Sequence, residues 1–161
     1  MSLAQPKPSF LIHHVFKKTL NLNHSLSDSW LVLNTMETFT KGQVFPFRVE
    51  FVAEKAAPSF ETGVWTNHHG PLLNVCGQIG RMKVNEYRDL NYSYGSYVLS
   101  FRLIRPVRLQ FYFKEMESSC EVTVQFDSYV VPWLSFFWTF LQSLFWNGFS
   151  RRLSRKSIHE A

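Results

Sequence analysis

The stretch EVTVQFDSYVVPWLSFFWTFLQSLFWNGFSRRL, residues 121–153, decides how the rest of the chain is read. It begins with alternation: Val122, Val124 and Phe126 are interleaved with Thr123, Gln125 and Asp127, the pattern of a half-buried strand from Glu121 to Val130. Pro132 breaks that pattern, and from Val130 to Phe149 no residue is charged. The choice is then between a membrane span and a helix packed on protein. Trp133, Phe136, Phe137, Phe140, Leu141, Leu144, Phe145, Gly148 and Phe149 recur at helical spacing and share one face, and Ser135, Thr139, Gln142, Ser143, Asn147 and Ser150 take the opposite face. A span bathed in lipid has no reason to reserve a face for amides and hydroxyls. The spacing therefore predicts a long C-terminal helix with its aromatic side against a sheet. Trp138 and Trp146 fall off that side, and Arg151, Arg152, Arg155 and Lys156 make its end basic.

Upstream, residues 1–9 with Pro6 and Pro8 read as a loose leader, and Phe10 to Leu22 as a strand. Ser25 or Ser27 is a candidate N-cap with Asp28 in the first turn, where a negative charge suits the helix dipole. That helix carries Trp30, Leu33 and Met36 and ends before Gly42. After Pro46, Phe47, Val49 and Phe51 alternate with Arg48 and Glu50 as a strand, and Thr62 to Thr66 follows as another. Residues 67–71 read as a turn. Further strands are expected at about Ile79–Tyr87, Tyr97–Ile104 and Val107–Lys114, with Pro106 interrupting two of them and Glu117-Ser118-Ser119 as a hairpin turn. The order is strand, helix, about six antiparallel strands, long helix. Such a sheet has no second sheet to cover it, so the helices must, and a cavity is expected wherever sheet and helix side chains fail to meet.

Composition narrows the class. The chain has 161 residues, 45% hydrophobic and 17% aromatic, enough apolar area for a single domain spanning 1–161 with a loose basic tail at 155–161. The net charge of +5 is concentrated: four of the seventeen basic residues are in the tail region and Arg102, Arg105 and Arg108 punctuate one short stretch. No broad basic face or recognisable module argues for nucleic acid. The start of the chain lacks an apolar stretch behind positive charge. With Cys76 and Cys120 giving no disulfide framework, a cytoplasmic protein with two free, partly buried thiols is expected.

Three segments resemble the START/polyketide-cyclase-like (SRPBCC, helix-grip) superfamily. Phe16 to Ser25 followed by Ser29-Trp30 is similar to its first strand running into a helix with an early Trp. Cys120 to Asp127 followed by Val131-Pro132-Trp133 is similar to its last strand turning through a proline into the long helix, and Phe149 to Leu153 to the end of that helix. The resemblance implies an α+β helix-grip fold, a curved antiparallel sheet of six to seven strands wrapped around a long C-terminal helix. It also implies a cavity for a lipid, quinone, sterol or polyketide-like molecule. Members of the superfamily usually have a second short helix after the first, and here only Thr38 to Gln43 could supply it.

Individual residues add less. His68-His69 has no other Cys or His at ligand spacing apart from Cys76, and a polar turn is expected there rather than a metal site. Of His13 and His14, one should face inward as a neutral, hydrogen-bonded imidazole. Gly77 and Gly80 flank Gln78-Ile79 without the rest of a phosphate loop and mark a bulge or close backbone approach. Glu86 and Arg88 share a strand face and are expected to form a solvated pair. Tyr92, Tyr94 and Tyr97 suit a cavity rim or an ordinary hairpin equally well. No catalytic residue, metal or cofactor is assigned.

The leading expectation is binding or transfer of a hydrophobic small molecule, lined by Phe136, Phe137, Phe140 and Leu144 from the helix and Trp65, Tyr97 and Phe111 from the sheet. The alternatives are a cyclase- or hydrolase-type enzyme using the same cavity, and a partner-binding or peripheral membrane module docking through the C-terminal helix. In the last case Arg151, Arg152, Arg155 and Lys156 would touch the membrane transiently. The oligomeric state is left open.

Overall fold

The computed structural model describes residues 5–41, 48–52, 60–70, 73–96 and 103–153. The expectations placed on Gly42, Pro46, Tyr97, Arg102, Arg155 and Lys156 lie outside those residues. Strand β1 (Ile12–Leu22) leads into helices α1 (Leu26–Leu33) and α2 (Met36–Thr40). Strands β2 (Arg48–Val52), β3 (Trp65–Gly70), β4 (Leu73–Lys83), β5 (Tyr87–Ser96), β6 (Ile104–Glu115) and β7 (Cys120–Val130) follow. A short 3-10 turn at Pro132–Leu134 then opens helix α3 (Ser135–Leu153). All neighbouring strands are antiparallel in one seven-stranded curved sheet of order β1-β7-β6-β5-β4-β3-β2. This is an α+β helix-grip architecture.

The local reasons match the residues. Ser25 caps α1, its hydroxyl accepting the Asp28 amide at 3.1 Å. The single expected helix is in fact two, because Asn34-Thr35 interrupts it; α2 supplies the second short helix. β7 is flanked by β1 and β6, so its inward residues Val122, Val124 and Val130 are fully buried and Phe126 nearly so. β3 starts later than expected, at Trp65, and takes in His68 and His69 as strand residues rather than a turn. β4 and β5 are separated by a hairpin turn at Val84–Glu86, where Asn85 takes a φ of 61°, a left-handed conformation that Asn tolerates better than most residues. Pro106 lies inside β6, beside a register shift between Pro106 and Arg108, where a missing N–H is tolerated.

One residue of the expected leader is tied to the sheet. Gln5 is buried, and its side-chain amide donates to the carbonyls of Tyr92 (2.7 Å) and Pro106 (3.2 Å). The Tyr129 hydroxyl donates to the Gln5 carbonyl at 3.1 Å.

The larger correction concerns α3. Its buried residues are Gln142, Trp146, Phe149 and Leu153, joined by half-buried Trp138. These lie four, four, three and four positions apart, one continuous helical stripe. Apart from Phe149, the face expected to grip the sheet points away from it: Phe136 is 84% exposed, Trp133 73%, Leu144 54%, and Phe137 and Phe140 52%. Two indoles decide the orientation. Trp138 reaches Phe126 (ring centroids 6.1 Å) and donates its N–H to Ser128 Oγ at 3.3 Å; Trp146 meets Phe111 edge-on at 5.8 Å. Trp146 also donates to Gln142 Oε1 at 3.2 Å, which partners an amide of the face expected to lie opposite the sheet. His14 on β1 completes the contact through Thr139 Oγ1 at 2.8 Å.

Candidate functional site

Where α3 crosses the sheet its indoles fill the gap, and the described hollow lies farther along, under α2 and the β2 side of the sheet. Phe39 of α2 roofs it, Val49 and Phe51 come from β2, and Phe60 precedes β3. Thr66 and His68 enter from β3, Ile79 from β4, Arg88 and Leu90 from β5 and Leu109 from β6. Phe149, from the last turns of α3, stacks on Phe39 at 6.0 Å and closes the roof. The hollow has a volume of about 30 Å³, room for roughly one or two waters.

The period of two puts these side chains together. Val49 and Phe51 alternate inward from β2 while Arg48 and Glu50 pair with each other outside, Glu50 also meeting His69. On β3, Thr66 and His68 face inward; Trp65, 40% exposed, therefore falls on the outer face, one residue out of step with the expected lining. Phe111 is fully buried and is the cross-strand partner of Arg88, but it does not line the hollow. Of the seven side chains expected to line a cavity, Phe136, Phe137, Phe140 and Leu144 face outward on α3, Trp65 faces outward on β3, Phe111 is core, and Tyr97 is outside the described residues.

Two polar groups expected at the surface line the hollow instead. Arg88, expected in a solvated pair with Glu86, is 4% exposed, and Glu86 pairs instead with Lys83 across the hairpin turn. The Arg88 guanidinium carbon sits 4.1 Å from the Phe111 ring centroid, 4.9 Å from Phe60 and 5.3 Å from Phe39, and Nε has no hydrogen-bond partner. Burial lowers its pKa to about 9, against weaker support from Tyr92 and Asp89, so it is a cation at neutral pH. The neighbouring carboxylate is on the other face of the sheet. Asp89 is bound there by Arg108, whose Nε donates at 2.9 Å, by the Tyr87 hydroxyl at 2.9 Å and by the Arg81 amide at 2.7 Å.

His68 is the second group. Burial, then the charges of His69 and Arg88, lower its pKa to about 4, so the ring is neutral. Its Nε2 lies 3.2 Å from Thr66 Oγ1, whose hydroxyl donates to the Gly77 carbonyl at 3.3 Å; the imidazole therefore donates from Nε2. Tyr92 packs edge-on against it at 5.5 Å. In the sequence, the inward alternation of Thr66, His68, Arg88 and Leu90 was the available signal, but it needed the start of β3 and the 84–86 turn to be placed correctly.

The remaining candidates are structural. His13 bonds Asp127 Oδ1 at 3.1 Å on the outer face. Cys76 and Cys120 are free; the Cys76 thiol donates to Asn67 Oδ1 at 2.9 Å, and burial raises the Cys120 pKa. Among the described residues there is no group of three or more His, Cys, Asp or Glu side chains able to hold a metal ion, and no helix long and apolar enough to cross a membrane.

No family model and no curated protein matches the chain. Solved structures do. Norcoclaurine synthase from Thalictrum flavum, in complex with dopamine and hydroxybenzaldehyde, is 12% identical, with 96% of this chain and 97% of that one covered at a TM-score of 0.64. Ara h 8.0201 is 10% identical, covering 90% and 100% at 0.63. An uncharacterized protein from Rhizobium leguminosarum is 10% identical, covering 91% and 97% at 0.63. At these identities the likeness is one of fold, and it extends over nearly the whole chain.

Proposed function

We propose that this helix-grip protein binds a hydrophobic small molecule in the hollow beneath α2, between the sheet and the end of α3. The observation that carries this is the lining: seven apolar side chains, three of them the rings of Phe39, Phe51 and Phe60, against Thr66, His68 and Arg88 as the polar groups. Apolar walls with a few convergent polar groups are the usual make-up of a small-molecule site. A drug-sized site holds about 300–1,000 Å³, so the ligand enters by displacing the roof. Phe39, Phe51 and Phe60 contact one another at 5.7 to 6.4 Å, and rotating these rings outward enlarges the hollow without disturbing a strand. The norcoclaurine synthase structure, with dopamine and hydroxybenzaldehyde bound, supports a ligand reading of this fold by analogy. Binding is favoured over a cyclase-type reaction because the titratable groups among the described lining residues are a neutral imidazole of low basicity and a guanidinium, which does not transfer protons. Titration with the uncharged probe N-phenyl-1-naphthylamine tests the site. Fluorescence should rise with wild type and Phe136→Ser and fall away with Leu109→Trp, which fills the hollow. No rise with wild type, or an equal rise with Leu109→Trp, overturns the reading.

A second reading concerns where the ligand is exchanged. The outward face of α3 exposes Phe136, Phe137, Phe140 and Leu144, Trp133 is exposed in the 3-10 turn before it, and Arg151 and Arg152 occupy its last turn. An aromatic face ending in arginines fits an anionic bilayer surface, with rings in the headgroup region and guanidinium groups on phosphates. Burial of each such ring contributes about 1.5–3 kcal/mol, so two or three suffice for reversible attachment. Sedimentation with phosphatidylglycerol vesicles at low salt should pellet wild type and leave Phe136→Ser/Phe140→Ser in the supernatant. A protein that ignores vesicles but dimerises through the same face in sedimentation velocity would instead identify a second copy as its occupant.

A further inference from the structure

Arg88 is the feature that the apolar hollow does not explain. A guanidinium taken out of water costs several kcal/mol unless an anion repays it, and buried arginines are accordingly paired. Arg88 is 4% exposed, has no ion pair among the described residues, and leaves Nε without an acceptor. Three aromatic faces surround its carbon, and cation–π contacts of roughly 0.5–2 kcal/mol each offset only part of that cost. They also steer it: rings of Phe39, Phe60 and Phe111 stacked about the group hold its plane and leave its edges for hydrogen bonds. Asp89, the adjacent carboxylate, is engaged on the opposite face by Arg108, Tyr87 and the Arg81 amide and does not serve Arg88.

We propose that Arg88 is the anchor for the anionic head of the ligand, and that the ligand is a carboxylate-headed amphiphile whose apolar body lies among Phe39, Phe51 and Phe60. The inference rests on the ligand-binding reading and adds the ligand's charge and orientation. A single guanidinium beside a neutral imidazole matches one negative charge, which favours a carboxylate over a phosphate carrying nearly two. The hollow as described has room for about a head of that size, because its volume of about 30 Å³ is that of a few heavy atoms next to Arg88 and His68. An incoming carboxylate accepts from Arg88 and displaces the water otherwise required there.

The experiment compares dodecanoate with dodecanol by calorimetric titration of the full chain, below the concentration at which either aggregates. Wild type should bind dodecanoate about tenfold or more tightly than dodecanol, the ratio expected for a charge-assisted hydrogen bond. Arg88→Met should bring that ratio close to one while keeping dodecanol affinity, and Arg88→Lys should restore part of it. Since Arg88→Met removes a packed side chain and its fold is not assured, nitrogen-15 spectra of wild type provide a second readout. The Arg88 Nε–H resonance should shift on adding dodecanoate and stay in place on adding dodecanol. Equal binding of the two ligands, or a dodecanoate complex that leaves the Arg88 resonance unmoved, overturns the anchor while the carrier reading stands. Failure of both to bind overturns the carrier reading itself.

Discussion

His68 is a neutral imidazole held in an apolar wall, and its environment converts directly into a pH dependence. Its folded pKa of about 4 is lower than the ordinary 6.5, so the unfolded chain binds the extra proton first. The stability it contributes is fully present above pH 6.5 and drains as pH falls toward 4, at up to about 1.4 kcal/mol per pH unit. Urea midpoints measured from pH 7 to pH 4.5 should fall more steeply for wild type than for His68→Gln, and parallel curves would refute the assignment. Gly80 makes the companion case. It sits in the register shift between Ile79 and Met82, and a Cβ there would run into the Asp89 carboxylate and the Asn91 amide. Gly80→Ala should cost about 1–3 kcal/mol in chemical denaturation, whereas an ordinary exposed strand glycine would gain from the same change. This close approach was legible, since a glycine inside a strand pattern marks one. The identity of the group it makes room for was not, because Asp89 reaches it only through the β4–β5 pairing.

At the scale of the element, α3 shows how a correct assignment carries a wrong orientation. The helix, its proline-marked start and its basic end follow from spacing alone. Its buried face does not, because apolar residues occupy most of its circumference and the count favours the side rich in Phe. Packing was decided by size and by hydrogen bonds: Trp138 and Trp146 fill the groove over Phe126 and Phe111, and each indole N–H finds an oxygen, one on Ser128 and one on Gln142. The two faces should therefore answer oppositely to mutation. Trp146→Ala removes a side chain 4% exposed and should cost about 3–5 kcal/mol in thermal or chemical unfolding. Phe136→Ser, at a position 84% exposed, should stay within about 0.5 kcal/mol. A large loss at Phe136 would show that its face is covered in solution.

At the scale of the molecule, the sheet is not uniformly closed. The paired register of β5 with β6 runs from Tyr87↔Tyr112 to Asn91↔Arg108, and beyond it the carbonyls of Tyr92 and Pro106 are joined by the Gln5 amide. Gln5 thus clasps two strands where their own ladder stops, and Tyr129 fastens it to β7. Gln5→Ala should cost roughly 1–3 kcal/mol and raise amide exchange at the Tyr92 end of β5 above that near Tyr87. Uniform exchange along β5 would mean that the clasp carries no strain of the sheet. Nothing in the leader announced this, since a lone Gln between Ala4 and Pro6 acquires a role only when two carbonyls remote in sequence are brought to it.

The sequence by itself determined the opening strand, a capped helix start at Ser25 or Ser27, the alternation of β7 and the long C-terminal helix after Pro132, because these depend on neighbours within a few residues; the helix-grip class came from the resemblance of three segments to a known superfamily. Tertiary structure decided which face of α3 is buried, which of Trp65 and Thr66 points inward, and where the hollow lies. Those outcomes depend on strand registers and on competition among apolar side chains for the same groove, and a register off by one residue exchanges the two faces of a strand. Arg88 illustrates the division. Its charge is local information, but its burial without an ion pair among the described residues appears only when β5, β6 and α2 close around it.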